Sequence, residues 1–146
     1  MVVFLYNSHT TAKSQRLIKG GFMRYWKPIF IENSKVPVVL SHIAPIEIGA
    51  ITLGFIVFSR DSMDDRLRRH ETIHFQQFLE TLFVGFVIIY LWDYFVNWTS
   101  GMDKKDAYYN LRAEKEAYAN DTDETYLANR KRYAWLWDTW IIRYGH

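Results

Sequence analysis

Residues 61–80 read DSMDDRLRRHETIHFQQFLE, and this stretch decides the fold. Ser62 followed three residues later by Asp65 resembles a capping box. Asp64 with Arg68, and Asp65 with Arg69, are acid-before-base pairs at i,i+4, the favourable order on a helix. The three prolines all lie at or before position 45, so nothing of that kind interrupts the chain afterwards. The spacing predicts a helix from about Met63 into the low eighties, and the apolar run beyond could carry it to about Trp98. Inside it lies His70-Glu71-Thr72-Ile73-His74, an HExxH pattern. Residues i and i+4 stand about 40° apart around a helix and about one turn apart along it, so both imidazoles can reach one metal ion. Glu71 lies about 100° round from His70, beside such an ion, where it can take a proton from a water. Five His and seven Glu in 146 residues give a chance HExxH roughly once in a hundred shuffles of this composition.

Upstream, residues 36–58 carry β-branched Val36, Val38, Val39, Ile46, Ile48, Ile51, Thr52, Ile56 and Val57. They read as two or three short strands, with another short strand near Ile29–Glu32. Residues 1–21 read as a flexible basic arm and 22–146 as a single domain. Downstream, Thr99-Ser100-Gly101 is a loop, Asp103 caps a helix running to Ala119, and Asp121–Trp140 is a further helix. Strands followed by helices make an α+β plan: a small sheet packed on the long HExxH helix, then two C-terminal helices. Thr81–Trp92 is uncharged but short of the roughly 20 residues that a membrane span needs. It reads as a core helix, with peripheral membrane association left open.

The chain is 49% hydrophobic and 18% aromatic with a net charge of +2, the profile of a folded domain. It has no cysteine. That excludes disulfides, thiolate-bound zinc and thiol nucleophiles, and fits a reducing, cytoplasmic setting. Residues 1–60 hold seven Lys/Arg against two acids, which reads as a solvated surface and not as a nucleic-acid site. The phosphate-binding glycine patterns and GxSxG are absent.

A zinc site for hydrolysis keeps three protein ligands and an open position. The histidine rival for third ligand is His42, since His9 falls in the arm and His146 is the last residue. The second source is Asn110–Asp121 (NLRAEKEAYAND), where Glu114 and Glu116 sit about 200° apart on a helix, so only one of them can face the metal. Tyr118, Asn120 and His42 are candidates for oxyanion or supporting roles, with Tyr126, Tyr133 and Arg112 behind them. Asp106 and Asp121 could also orient the histidines.

HExxH on one helix and a glutamate on a later one resembles the gluzincin branch of zinc metallopeptidases. Glu114-Lys115-Glu116-Ala117 is similar to the ExEA(D) element of membrane-linked members, and by matching position implies Glu114 as the zinc ligand. Tyr118 stands where that element has Asp, which keeps Glu116 as the alternative. His74-Phe75-Gln76-Gln77 resembles the HxxQ continuation of small HExxH proteins. The resemblance spans about residues 50–120. It implies Zn2+ and hydrolysis of a peptide or protein substrate with Glu71 as general base. It also implies that the strand Ala50–Phe58 pairs with extended substrate backbone. Two other classes compete: a zinc-binding protein of this scaffold without turnover, and a membrane-associated or partner-binding module in which HETIH is incidental.

Overall fold

A computed structural model describes residues 25–42 and 47–137, together with the backbone of Val2–Leu5. The strands are β1 (Val2–Leu5), β2 (Ile29–Ile31), β3 (Ile48–Leu53) and β4 (Ile56–Ser59). The helices are α1 (Val36–Ser41), α2 (Asp65–Glu80), α3 (Val84–Thr99), α4 (Lys104–Tyr109), α5 (Arg112–Asn120) and α6 (Tyr126–Asn129). The architecture is α+β, with the small sheet at the N-terminal side and α2 packed on it.

The sheet runs β1-β3-β4-β2. β3 is antiparallel to both β1 and β4, while β2 joins β4 in parallel. The tight β3–β4 hairpin turns at Gly54, whose φ of 61° is the left-handed region that glycine enters without penalty. One face of β3 packs Ile48 and Ile51 against Tyr108 and Leu111, at the α4–α5 junction. β3 is thereby held against the start of the helix that carries Glu114 and Glu116, and its Thr52 reaches Glu71 of α2.

Several sequence expectations are corrected. Val36–Ser41, expected as strand, is helix α1: Pro37 stands in its first turn, where the missing N–H costs nothing and its fixed φ already suits a helix. α2 begins at Asp65, and its cap is Asp64, accepting from the amide of Leu67 at 2.7 Å, so Ser62 is not the cap. The HExxH helix does not run on to Trp98. It closes at Glu80 in a Schellman-type end, the amide of Phe83 bonding the carbonyl of Phe78 at 2.9 Å with Leu82 at φ 53°. α3 then leaves at 111° to α2. The helix expected over 103–119 is two, α4 and α5, because Leu111 is extended (φ −61°, ψ 137°) and fully buried. Of the helix expected over 121–140, α6 covers Tyr126–Asn129 and residues 134–137 are helical again after a break, while residues beyond 137 lie outside the described residues.

Within the segment read as an arm, Val2–Leu5 forms an edge strand on β3, and residues 6–24 lie outside the described residues. No single helix among the described residues is long and apolar enough to cross a membrane.

Candidate metal centre

α2 lays Glu71 and His74 against the protein interior together with His70, and α5 brings Glu114 to meet them. All four side chains are fully buried. The local reason on α2 is its pattern: Ile73 and Phe75, both buried, interleave with the histidines and bind this part of the helix to the core. On α5, Ala113 and Ala117 flank Glu114 and allow the close approach of the two helices.

His70 Nε2 and His74 Nε2 lie 3.0 Å apart, and Glu114 Oε2 is 3.6 Å from each. These three side chains form a group able to hold a metal ion. A triangle with those sides has its equidistant point about 2.0 Å from each corner, the length of a Zn–N or Zn–O bond.

The hydrogen bonds behind the triangle decide what the three atoms offer. Gln77 Nε2 donates to the Ala113 carbonyl and to Glu116 Oε2, so its Oε1 is left as the acceptor for His74 Nδ1 at 2.8 Å. That places the His74 proton on Nδ1 and the lone pair on Nε2. His70 Nδ1 faces Asp121 Oδ2 at 3.4 Å, a carboxylate that accepts only, and the same reasoning turns the His70 Nε2 lone pair to the shared focus. Glu114 Oε2 is buried with no hydrogen-bond partner, while its other oxygen accepts from Tyr90 Oη at 3.2 Å. Three electron-rich atoms converging away from water demand a positive charge between them.

The electrostatics say the same. Burial pushes His70 down, but Asp121 and Glu114 outweigh it and bring the imidazole up to about 9. Burial pushes Glu114 up, but facing His74 and His70 hold it down at about 2. With only protons available, the site keeps one on His70 opposite an ionised Glu114; a metal ion takes that role by displacing the proton.

Glu71 sits beside the triad. Thr52 Oγ1, from β3, donates to its Oε2 at 2.5 Å, and its Oε1 is buried without a partner. Burial raises its pKa, against the pull of His74, His70 and the Thr52 bond.

The other sequence candidates fall elsewhere. Glu116 faces away from the triad and accepts from Tyr126 Oη (2.7 Å), Gln77 and Arg130. His42 is exposed at the end of α1, its Nδ1 bonded to the Val38 carbonyl at 2.8 Å, far from a ligand role. Asn120 bonds the Glu116 carbonyl within its own helix. Tyr118 packs edge-on against His70 with ring centroids 4.6 Å apart. Arg112 clasps Asp93 through two bonds of 2.8 and 2.7 Å, and Tyr126 holds Glu116. Of Asp106 and Asp121, it is Asp121 that meets a histidine. β3 and β4 are central strands, so the Ala50–Phe58 segment has no free edge over β3 for substrate backbone, contrary to expectation.

Sequence reasoning quoted Gln77 in the HxxQ string without giving it a role, and passed over Arg130. Gln77 lies three residues after His74 on the same helix face, a spacing at which side chains meet. Arg130 bridges buried Glu80 and Glu116 from beyond α6, and nothing local in the sequence announces it.

No protein-family model, curated protein or solved structure matches the chain.

Proposed function

We propose that this protein is a zinc-dependent hydrolase of peptide bonds, with His70, His74 and Glu114 as metal ligands and Glu71 as general base. The observation that carries the reading is the convergence of two imidazole nitrogens and a carboxylate oxygen that no hydrogen bond occupies on one buried point. Two His and one Glu with a fourth position open is a donor set of catalytic zinc sites. A zinc ion held there supplies the Lewis acidity that activates a water and polarises a scissile carbonyl.

The chain's own residues supply the rest. Thr52 fixes one oxygen of Glu71, leaving Oε1 to accept the water proton and return it to the leaving amine. Burial raises its pKa, the direction that favours a carboxylate taking up a proton and handing it on. Gln77 and Asp121 hold the two imidazoles with their Nε2 atoms inward, and Tyr90 holds Glu114. The test is Glu71→Gln on a quenched-fluorescent peptide library. It should keep stoichiometric zinc and lose about 10²–10⁴ in rate; cleavage at the wild-type rate overturns the assignment.

One observation favours a second reading, a metal-binding protein without turnover. Every ligand and Glu71 are closed off from solvent, so substrate has no exposed approach to the metal position. Under that reading zinc binds one-to-one, metal removal lowers the melting temperature, and no peptide in the library is cut.

A further inference from the structure

Helix α3 carries two unlike jobs on opposite faces. Its inner face holds Phe86, Tyr90, Asp93 and Asn97, at i, i+4, i+7 and i+11. Phe86 stacks on Phe78, Tyr90 reaches Glu114, Asp93 pairs with Arg112 and Asn97 donates to the Ala107 carbonyl. Its outer face is Val84, Ile88, Leu91, Trp92, Phe95 and Trp98, each more than half exposed. The helical spacing of these six makes one continuous stripe, and α3's lone charge, Asp93, is turned inward. The surface also widens past the helix. Leu82 in the α2–α3 turn is 81% exposed, and half-exposed Phe55 at the hairpin tip packs on Phe83 with centroids 5.2 Å apart. A contiguous apolar surface of this kind, on side chains more than half exposed, marks an interaction site more often than a water-facing surface.

Two observations say what covers it. The first is tryptophan. Of the five described, only Trp135 is buried; Trp26, Trp92, Trp98 and Trp137 are all more than half exposed. Tryptophan is largely buried in water-facing proteins and concentrates where hydrocarbon meets headgroups. The second is charge. The segment after α6 packs beside α3 through Trp135, 5.4 Å from Phe86, and presents exposed Lys131 and Arg132 next to exposed Tyr133 and Trp137. Exposed tryptophans on the apolar face, together with exposed Lys131 and Arg132 on a segment packed against the same helix, are complementary to an anionic bilayer. A single partner helix would cover the α3 stripe but not the hairpin tip and turn that extend it.

We propose that α3 lies in the plane of an anionic lipid surface with its outer face in the acyl–headgroup boundary, which sets the metal centre behind it to work on peptide segments at that surface. The substrate clause rests on the hydrolase reading; the docking does not.

The full chain is sedimented with phosphatidylcholine vesicles with and without phosphatidylglycerol, and its tryptophan emission is followed with brominated acyl chains. The expected result is co-sedimentation favoured by the anionic lipid, with bromine quenching of emission. Ile88→Glu with Leu91→Glu should cut vesicle binding at least about tenfold while zinc content and helicity stay at the wild-type level. Lys131→Glu with Arg132→Glu should reduce it severalfold and flatten its salt dependence. The wild-type quenching measurement decides the matter even if the double glutamate variant fails to fold. No binding and no quenching overturns the proposal. So does a dimer that the glutamate pair dissociates in a chain indifferent to vesicles, which assigns the face to a second copy. Vesicle binding without peptide cleavage leaves the docking standing and removes only the hydrolase.

Discussion

Gln77 accepts the Nδ1 proton of His74 at 2.8 Å while its amide nitrogen reaches Glu116 at 2.8 Å. One glutamine thus ties a metal-facing imidazole to the buried Arg130 cluster and fixes the tautomer that turns Nε2 inward. Gln77→Leu removes the acceptor and leaves the ring free to turn. Zinc affinity, measured by competition with a chromophoric chelator, should fall about 10–100-fold. An unchanged affinity means that Gln77 does not orient the ligand.

Thr52 acts on the general base from the sheet. Its hydroxyl bond favours ionised Glu71 and opposes the effect of burial. In Thr52→Val the Glu71 pKa should rise further. The acidic limb of the pH–rate profile of peptide cleavage should then move to higher pH, with zinc content unchanged. A limb that stays in place shows that Glu71 does not set it.

Arg130 is 5% exposed at its side chain and bridges Glu80 and Glu116, which are 7% and 5% exposed. Glu80 also accepts from the indole of Trp135 at 3.1 Å. Removing the cation leaves two buried carboxylates facing each other. Arg130→Met should lower unfolding free energy by about 3–5 kcal/mol, read as a lower urea midpoint at unchanged slope. A loss below about 1 kcal/mol would place the triad among pairs that solvent screens.

The metal-free protein should have a distinctive pH dependence. The folded-state pKa of His70 is raised to about 9 from 6.5, so its contribution is fully present below 6.5 and is lost as pH rises through about 9. Glu114 is lowered to about 2 from 4.5, so its contribution is present above 4.5 and is lost as pH falls through about 2. With chelator present, the melting temperature should be highest between those windows and fall by several degrees towards pH 9. With zinc it should instead rise from acid to neutral pH, because the metal competes with protons for the same atoms. Parallel profiles with and without zinc contradict the site.

The HExxH helix was legible because its signals are local: acid–base pairs at i,i+4 and a ligand spacing matched to one helical turn, though its cap was read two residues early, at Ser62 instead of Asp64. Its end was not. Leu82 and Phe83 take left-handed φ values of 53° and 61° that bulky residues rarely adopt, so the sequence has no glycine or proline at the break. Gly85, where a Cβ would sit 3.1 Å from Thr81 Cβ, is the one hint that the chain doubles back closely there. At Val36–Ser41, β-branched residues outvoted a proline whose better position was a helix's first turn. Glu114 against Glu116 was undecidable by spacing alone. The choice depends on which face of α5 meets α2, and that is fixed by long-range partners, Tyr126 and Arg130 capturing Glu116 from 10 and 14 residues downstream.

The most direct measurement is metal content of the purified chain after exposure to zinc, by plasma mass spectrometry, beside His74→Ala, Glu114→Ala and Glu116→Ala. The account predicts close to one zinc per wild-type chain, near-complete loss in His74→Ala and Glu114→Ala, and retention in Glu116→Ala wherever that variant folds. Zinc kept by Glu114→Ala, or none bound by the wild type, contradicts it.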